Sequence, residues 1–128
     1  DKNFFKVWGG ISGAQHLLPL LLTEGHIKRN AAFSLISGLT SVNVARRFKL
    51  PATKGRIEAG ADADFALVDL RRRFTVHAEE LLYRHKQSPY VGRNLQGRVV
   101  RTILRGQTVF REGKIVGKAV GLVVKPVR

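Results

Sequence analysis

Leu50-Pro51-Ala52-Thr53-Lys54-Gly55-Arg56-Ile57-Glu58-Ala59-Gly60-Ala61-Asp62-Ala63-Asp64-Phe65-Ala66-Leu67-Val68-Asp69-Leu70 is the stretch where this chain changes its grammar. Before it, apolar residues recur at helical spacing; after it, they fall in short runs separated by tight turns. Pro51 marks the boundary, because the residue preceding a proline avoids helical angles. Gly55 to Asp64 is a turn-rich connection, and Phe65 to Leu70 is a mostly apolar strand. Asp62 and Asp64 flank Ala63 in that connection, so they read as turn hydrogen-bond acceptors that start the strand rather than as an acid–base pair.

Working towards the N-terminus, Thr40 or Ser41 caps a helix whose inner stripe is Val44, Ala45 and Phe48. A helix from Asn30 or Ala31 to Ser37, ended by Gly38, precedes it. Before that, Ser12 caps a helix through about Glu24, closed by Gly25, with Leu17, Leu18, Leu21 and Leu22 as its buried face. Pro19 falls early enough in that helix to be tolerated or to kink it. The chain opens on the apolar segment Phe4-Phe5-Lys6-Val7-Trp8, stopped by Gly9-Gly10. These glycines, with Gly13, permit close backbone approach, which leaves open both a structural turn and a loop that offers its backbone to a ligand.

Working towards the C-terminus, Arg73 to His77 pairs with the Phe65 strand, and Glu79 to Tyr83 makes a short helical turn. Arg98 to Leu104 and Gln107 to Arg111 are strands joined by Arg105-Gly106, and Glu112-Gly113-Lys114 turns the chain again into Lys114 to Val116. Val120 to Val124 is a last apolar run. The layout is three helices followed by four to six short strands, α+β when taken alone, with too few strands to close the sheet edges.

Composition narrows the function classes. With 44% hydrophobic and 25% charged residues the chain is an ordinary globular one. Its longest apolar run, Leu17 to Leu22, is interrupted by Pro19 and is too short to span a bilayer, and no signal peptide opens the chain. Cysteine is absent, which excludes disulfides and thiolate metal sites and fits a cytoplasmic location. Methionine is absent too, even at position 1, so a piece or a processed form of a longer product is expected. The net charge of +14 is uneven: residues 1–70 carry nine Lys/Arg and six Asp/Glu, residues 71–128 fourteen and three. Clustered cations attract phosphates, but aromatics suited to stacking bases are sparse beside Arg71-Arg72-Arg73 and the later arginines. A surface facing acidic protein is the better reading, and nucleic acid is not expected as a partner.

Chemistry-bearing residues are thin. His16, His26, His77 and His85 are scattered, with no H-x-H or H-E-x-x-H pair, so each reads as structural or solvated. Gly10-Ile11-Ser12-Gly13 lacks the G-x-S-x-G spacing of a nucleophile elbow.

The motifs together nevertheless resemble a known family over nearly the whole chain. Trp8-Gly9-Gly10-Ile11-Ser12-Gly13-Ala14-Gln15, followed at a distance by Arg84-His85-Lys86-Gln87-Ser88-Pro89-Tyr90, is similar to the C-terminal portion of allantoinases. Thr40 to Leu50 and Lys54 to Phe65 resemble two motifs common to cyclic amidohydrolases, whereas Arg84 to Gly92 looks like allantoinase more than hydantoinase or dihydropyrimidinase. The resemblance implies an α/β fold: a TIM barrel carrying a β-sandwich lobe built from both chain ends. On that reading residues 1–50 are the last helical part of the barrel domain, and residues 51–128 belong to the lobe, with a family-specific loop at 84–92.

The same resemblance implies a pair of zinc or other divalent ions held by histidines, a carboxylated lysine and an aspartate, whose bridging hydroxide opens the hydantoin ring of allantoin to allantoate. All of those ligands would precede Asp1, so this chain by itself is expected to hold no metal and to be inactive. Gly9 and Gly10 are the implied backbone contacts to the cyclic amide, and Ser88 to Tyr90 is expected to be structural, near the junction of barrel and lobe. The implied partners are the remainder of the enzyme chain and further copies of it. Two alternatives are a hydantoinase or dihydroorotase relative, and a non-catalytic module whose basic face binds an acidic partner or nucleic acid.

Overall fold

The computed structural model describes Asn3 and residues 10–127. The apolar segment Phe4 to Trp8, and Gly9, lie outside the described residues.

Helix α1 starts with a 3-10 turn at Ala14–His16, runs as α-helix through Leu17–Leu20 and widens into π-helical turns over Leu21–Ile27. Gly25 therefore sits inside this helix and does not close it. The stop comes at Asn30, which takes the left-handed conformation (φ 57°), while the Ala31 N–H reaches back to the Gly25 carbonyl at 3.0 Å. Ser12 makes no cap either: the residue before the first turn is Gly13, with no side-chain cap. The inward face also differs from the leucine stripe. His16, Pro19, Leu22 and Thr23 are buried, whereas Leu17 points to solvent. These four positions stand at i, i+3, i+6 and i+7, an ordinary helical stripe on a face turned about a third of a turn from the leucine one.

The two helices expected between Asn30 and Phe48 are one. Helix α2 comprises α-helix Phe33–Ser37, π-helical Gly38–Val42 and α-helix Asn43–Arg47. Gly38 costs helix propensity, about 1 kcal/mol relative to Ala, but does not break the chain direction. In each wide stretch a threonine hydroxyl takes the carbonyl four residues back: Thr23 to Pro19 at 2.8 Å and Thr40 to Ile36 at 2.9 Å. Helix α2 ends as expected before Leu50-Pro51. Lys49 turns left-handed (φ 49°), and the N–H groups of Leu50 and Lys49 bond the carbonyls of Ala45 and Arg46 in a Schellman closure. Ile36 is the buried residue of this helix, while Val44 and Phe48, expected inside, are exposed.

The strands form one antiparallel meander in the order β1-β2-β3-β4. Strand β1 spans Phe65–Thr75, β2 Asn94–Leu104, β3 Gln107–Arg111 and β4 Lys114–Ile115. Phe65 to Leu70 and Arg73 to His77 are thus not partners of each other. Phe65 to Leu70 and Arg73 to Thr75 are two ends of one strand, separated by a bulge between Asp69 and Arg73, and both pair with β2, while Val76 and His77 lie beyond it. Asp69 Oδ1 accepts the Arg71 N–H at 3.0 Å to shape that bulge, and Gln96 Nε2 reaches across to the Leu70 carbonyl at 3.0 Å. Val120 to Val124 forms no strand. No helix among the described residues is long and apolar enough to cross a membrane.

The core lies where α1 crosses the sheet. Val76, Leu81 and Leu95 are sealed from solvent, with Leu20, Phe74 and Tyr83 packed around them. Thr23 locks the crossing: it accepts the Gln96 N–H at 2.9 Å, and its hydroxyl proton is shared between the carbonyls of Gln96 (3.0 Å) and Pro19. Gly97 lets the helix come this close, because a Cβ there would stand 3.0 Å from the Leu22 side chain and its φ of +91° is left-handed. Elsewhere Phe33, Leu35 and Leu39 of α2 and Phe48 just after it are exposed.

Candidate functional site

Two segments distant in sequence meet at the start of α1. The Gly10–Gln15 loop and the long β1–β2 connection, residues 76–93, are joined almost wholly by side chains. Gln15 clamps its opposite with both ends of its carboxamide: Nε2 donates to the Glu80 carbonyl at 3.0 Å, and Oε1 accepts the Leu82 N–H at 2.8 Å. The Gln15 N–H bonds the Tyr83 hydroxyl at 2.7 Å, and the Ser88 hydroxyl donates to the Ser12 carbonyl at 2.7 Å. Gly13 faces the Tyr90 ring so closely that a Cβ would lie 3.3 Å from it. Leu81, fully buried, roots the connection in the core. The Ser88-Pro89-Tyr90 part then returns through a tight turn to β2, with Arg93 N–H on the Tyr90 carbonyl and Val76 N–H on the Arg93 carbonyl.

Between the two segments lies an open cleft of about 810 Å³, lined by Gly10, Ile11, Ser12, His85, Gln87, Ser88 and Pro89. Small-molecule sites typically occupy roughly 300–1,000 Å³. Gly10 is exposed there with φ +96°, and nothing lies within 4 Å of a Cβ placed on it, so its backbone is open to an approaching ligand. Gly9, its expected companion, lies outside the described residues. His85 and Gln87 are exposed at the opposite wall, and their side chains bond no other described residue. Neither residue stands out in the sequence except through the Arg84-to-Tyr90 motif that contains them.

The remaining histidines are structural or peripheral. His26 Nδ1 bonds the Ala31 carbonyl at 2.9 Å and its ring lies against Phe33. His77 is exposed beside Glu79. His16 is buried with its Nδ1 lacking a partner; burial lowers its pKa below the ordinary histidine value, against a smaller upward pull from Glu80. No three His, Asp or Glu converge among the described residues, so they do not fit a metal centre.

Asp62 and Asp64 are structural. Lys54 Nζ sits between them, 2.9 Å from Asp62 Oδ2 and 2.5 Å from Asp64 Oδ2. Asp64 Oδ1 accepts the Arg105 N–H at 2.7 Å, and the Gly106 N–H bonds the Ala63 carbonyl at 3.0 Å. The motif thereby ties the helix-to-strand connection to the β2–β3 turn. The Lys54 hydrogen bond holds Asp62 below the usual carboxylate range. For Asp64, partial desolvation pushes upward but is overcome by Lys54 and by the Arg105 N–H. The two carboxylates raise Lys54 in return.

Several of the basic residues of the sheet are engaged. Arg72 pairs with Glu112, Arg98 lies 3.5 Å from Glu80 and over the Phe74 ring, and Arg101 Nε bonds Thr108 at 2.8 Å. Arg101 and Arg111 stand directly opposite each other on β2 and β3, a like-charge pairing that is unfavourable without a counter-charge.

A family model described as the amidohydrolase family matches residues 23–110, which include α2, the Lys54–Asp62–Asp64 node and most of the sheet. The chain belongs to the amidohydrolase family. Among this amidohydrolase's curated relatives is an allantoinase of Rubrobacter xylanophilus, 53% identical over 99% of this chain. An allantoinase of Deinococcus radiodurans is 46% identical over 98% of it. The amidohydrolase chain spans 28% of the length of each. Its structure superposes on the L-hydantoinase (dihydropyrimidinase) of Arthrobacter aurescens with a TM-score of 0.88 at 29% identity, covering 97% of this chain and 28% of that one. The D-hydantoinase (dihydropyrimidinase) of a Thermus species matches with a TM-score of 0.84 at 26% identity, over 90% of this chain and 25% of that one. The order of helices followed by strands expected of an amidohydrolase C-terminal portion is the one observed.

Proposed function

We propose that this chain is the C-terminal segment of an allantoinase-like cyclic amidohydrolase that opens the hydantoin ring of allantoin to allantoate. The observation that carries the reading is the joining of the Gly10 loop to the Arg84–Tyr90 segment around one open cleft. High identity to allantoinases along nearly the full length of the chain supports the same substrate. The described residues do not form a metal centre, so the zinc or other divalent pair of the proposed reaction belongs to the remainder of the enzyme. This segment binds and orients: the backbone of Gly9 and Gly10 meets the ring amide, and the bonds of Tyr83 to Gln15 and of Ser88 to Ser12 fix the loop that follows Gly10.

Residues 1–50 form the last helical part of the barrel domain and residues 51–128 the lobe. The exposed apolar residues of α2 and the outer edge of β1 meet the rest of the enzyme, and the unbalanced arginines of residues 71–128 meet acidic surface there or in another copy. Cytoplasmic location goes with this reading. The test is allantoate formation from allantoin by the protein that carries this chain, supplied with zinc, manganese or cobalt. Ring opening of dihydroorotate or of unsubstituted hydantoin, with none of allantoin, would replace the substrate assignment.

A further inference from the structure

We propose that His85 and Gln87 form a recognition wall for the acyclic ureido arm of the ring substrate, a specificity role that rests on the allantoinase reading. The cleft brings one segment with an open backbone, at Gly10, opposite one with uncommitted polar side chains, at His85 and Gln87. A ring amide is read well by backbone, since its donors and acceptors match those of a peptide. A ureido group adds two kinds of hydrogen-bonding atom outside the ring, N–H donors and a carbonyl acceptor. A carboxamide such as that of Gln87 offers both complements at once, and an imidazole offers one of each when neutral.

The mounting supports this role. The main chain of the wall is fixed on both sides, by Leu81 in the core and by the Ser88 hydroxyl on Ser12. A close turn bonds the Gln87 N–H to the His85 carbonyl at 2.8 Å, so the two side chains are carried by one short folded unit. Lys86 between them is directed elsewhere, its Nζ on the Leu81 carbonyl. Ile11 and Pro89 give the cleft apolar sides, and of its polar lining residues Ser88 is already engaged with Ser12.

The experiment compares substrates with and without the arm, using the complete enzyme. For wild type, Gln87→Ala and the double variant His85→Ala/Gln87→Ala, kcat/KM is measured for allantoin and for 5-methylhydantoin. Where 5-methylhydantoin is not turned over, its inhibition constant against allantoin is used instead. Each lost hydrogen bond at an open site should lower the allantoin-to-methylhydantoin preference about threefold to tenfold. Gln87→Asn, which keeps the carboxamide on a shorter stem, should recover part of it. Both side chains are exposed and unpartnered, so thermal midpoints serve as the check that the variants fold. An unchanged preference in the folded double variant overturns the recognition wall while leaving the allantoinase reading intact. A wild-type enzyme inert towards allantoin overturns both.

Discussion

The Ser88 hydroxyl donates to the carbonyl of Ser12 across 2.7 Å, linking residues 76 positions apart. Through that bond the loop bearing Gly10 is held against the segment bearing His85 and Gln87. Ser88 accepts as well, from the Tyr90 N–H at 3.4 Å, so one hydroxyl both shapes its own turn and fixes the facing loop. Its role is positioning.

Ser88→Ala should therefore affect both stability and substrate handling. A net hydrogen bond is worth about 0.5–1.5 kcal/mol, and denaturant unfolding should show a loss of that size. In the complete enzyme kcat/KM should fall more than stability alone explains, because the Gly10 backbone loses its brace. Ser88→Thr, which keeps the hydroxyl, should restore most of the difference. Equal activity for the alanine variant and wild type would remove Ser88 from the positioning of that loop.

Gly97 and Gly106 separate backbone strain from packing. Both have left-handed φ, +91° and +80°, but a Cβ at Gly97 meets Leu22 whereas one at Gly106 meets nothing within 4 Å. Gly106→Ala should cost about 1–2 kcal/mol for conformation. Gly97→Ala should cost about 1–3 kcal/mol more for crowding against the helix. Combining it with Leu22→Ala should be less than additive, since the smaller side chain leaves room. Equal costs at the two glycines would show that α1 moves away from β2 at no expense.

The Lys54–Asp62–Asp64 node carries a two-sided pH dependence. Asp62 and Asp64 have lowered pKa values, so the folded state binds fewer protons than the unfolded chain in the acid range. Their contribution is present above the ordinary aspartate value and is lost as pH falls through the lowered ones. Lys54 is raised, so its contribution is present below the ordinary lysine value and is lost as pH rises through the raised one. Lys54→Gln should lower stability at neutral pH and flatten both limbs in a pH series of urea midpoints. Unaltered limbs would mean that the node does not contribute.

His16 adds a separate limb nearer neutrality. Its folded pKa lies below the ordinary histidine value because it is buried, so the unfolded chain takes up a proton that the folded one refuses. Its contribution is present above about pH 6.5 and is lost as pH falls through its lowered value. Urea midpoints at about pH 7.5 and about pH 5.5 should diverge in wild type and converge in His16→Gln. Equal divergence in both proteins would place the acid sensitivity elsewhere.

Some of the site was legible because its cause is local. Pro51 stops α2 through the steric demand of its ring on Leu50, and no distant contact is needed to know it. Asp62-Ala63-Asp64 was legible as a structural turn for the same reason, although not its Lys54 centre, which comes from eight and ten residues away. Gly25 and Gly38 misled. Glycine weakens a helix without ending it, and the packing of Leu22, Thr23 and Ile36 supplies what propensity lacks. The stripe Leu17, Leu18, Leu21, Leu22 misled because helical spacing fits more than one face, and packing against Gln96 and Gly97 of β2 turns the face of His16, Pro19, Leu22 and Thr23 inward.

By itself the sequence determined the change from helix to strand at Pro51, the β2–β3 hairpin at Arg105-Gly106, the uneven charge and the family signature in Trp8 to Gln15 and Arg84 to Tyr90. These follow from steric limits and side-chain chemistry within a few residues. Only the tertiary structure decided that Gly10 to Ser12 and His85 to Pro89 line one cleft, that Gln15, Tyr83 and Ser88 bind the two segments together, and that the His85 and Gln87 side chains stand exposed there without a partner among the described residues. Such contacts depend on where the core, sealed by Leu81, Val76 and Leu95, sets the β1–β2 connection relative to α1. Burial of those three residues is a property of the whole packed unit, and no local rule of spacing contains it.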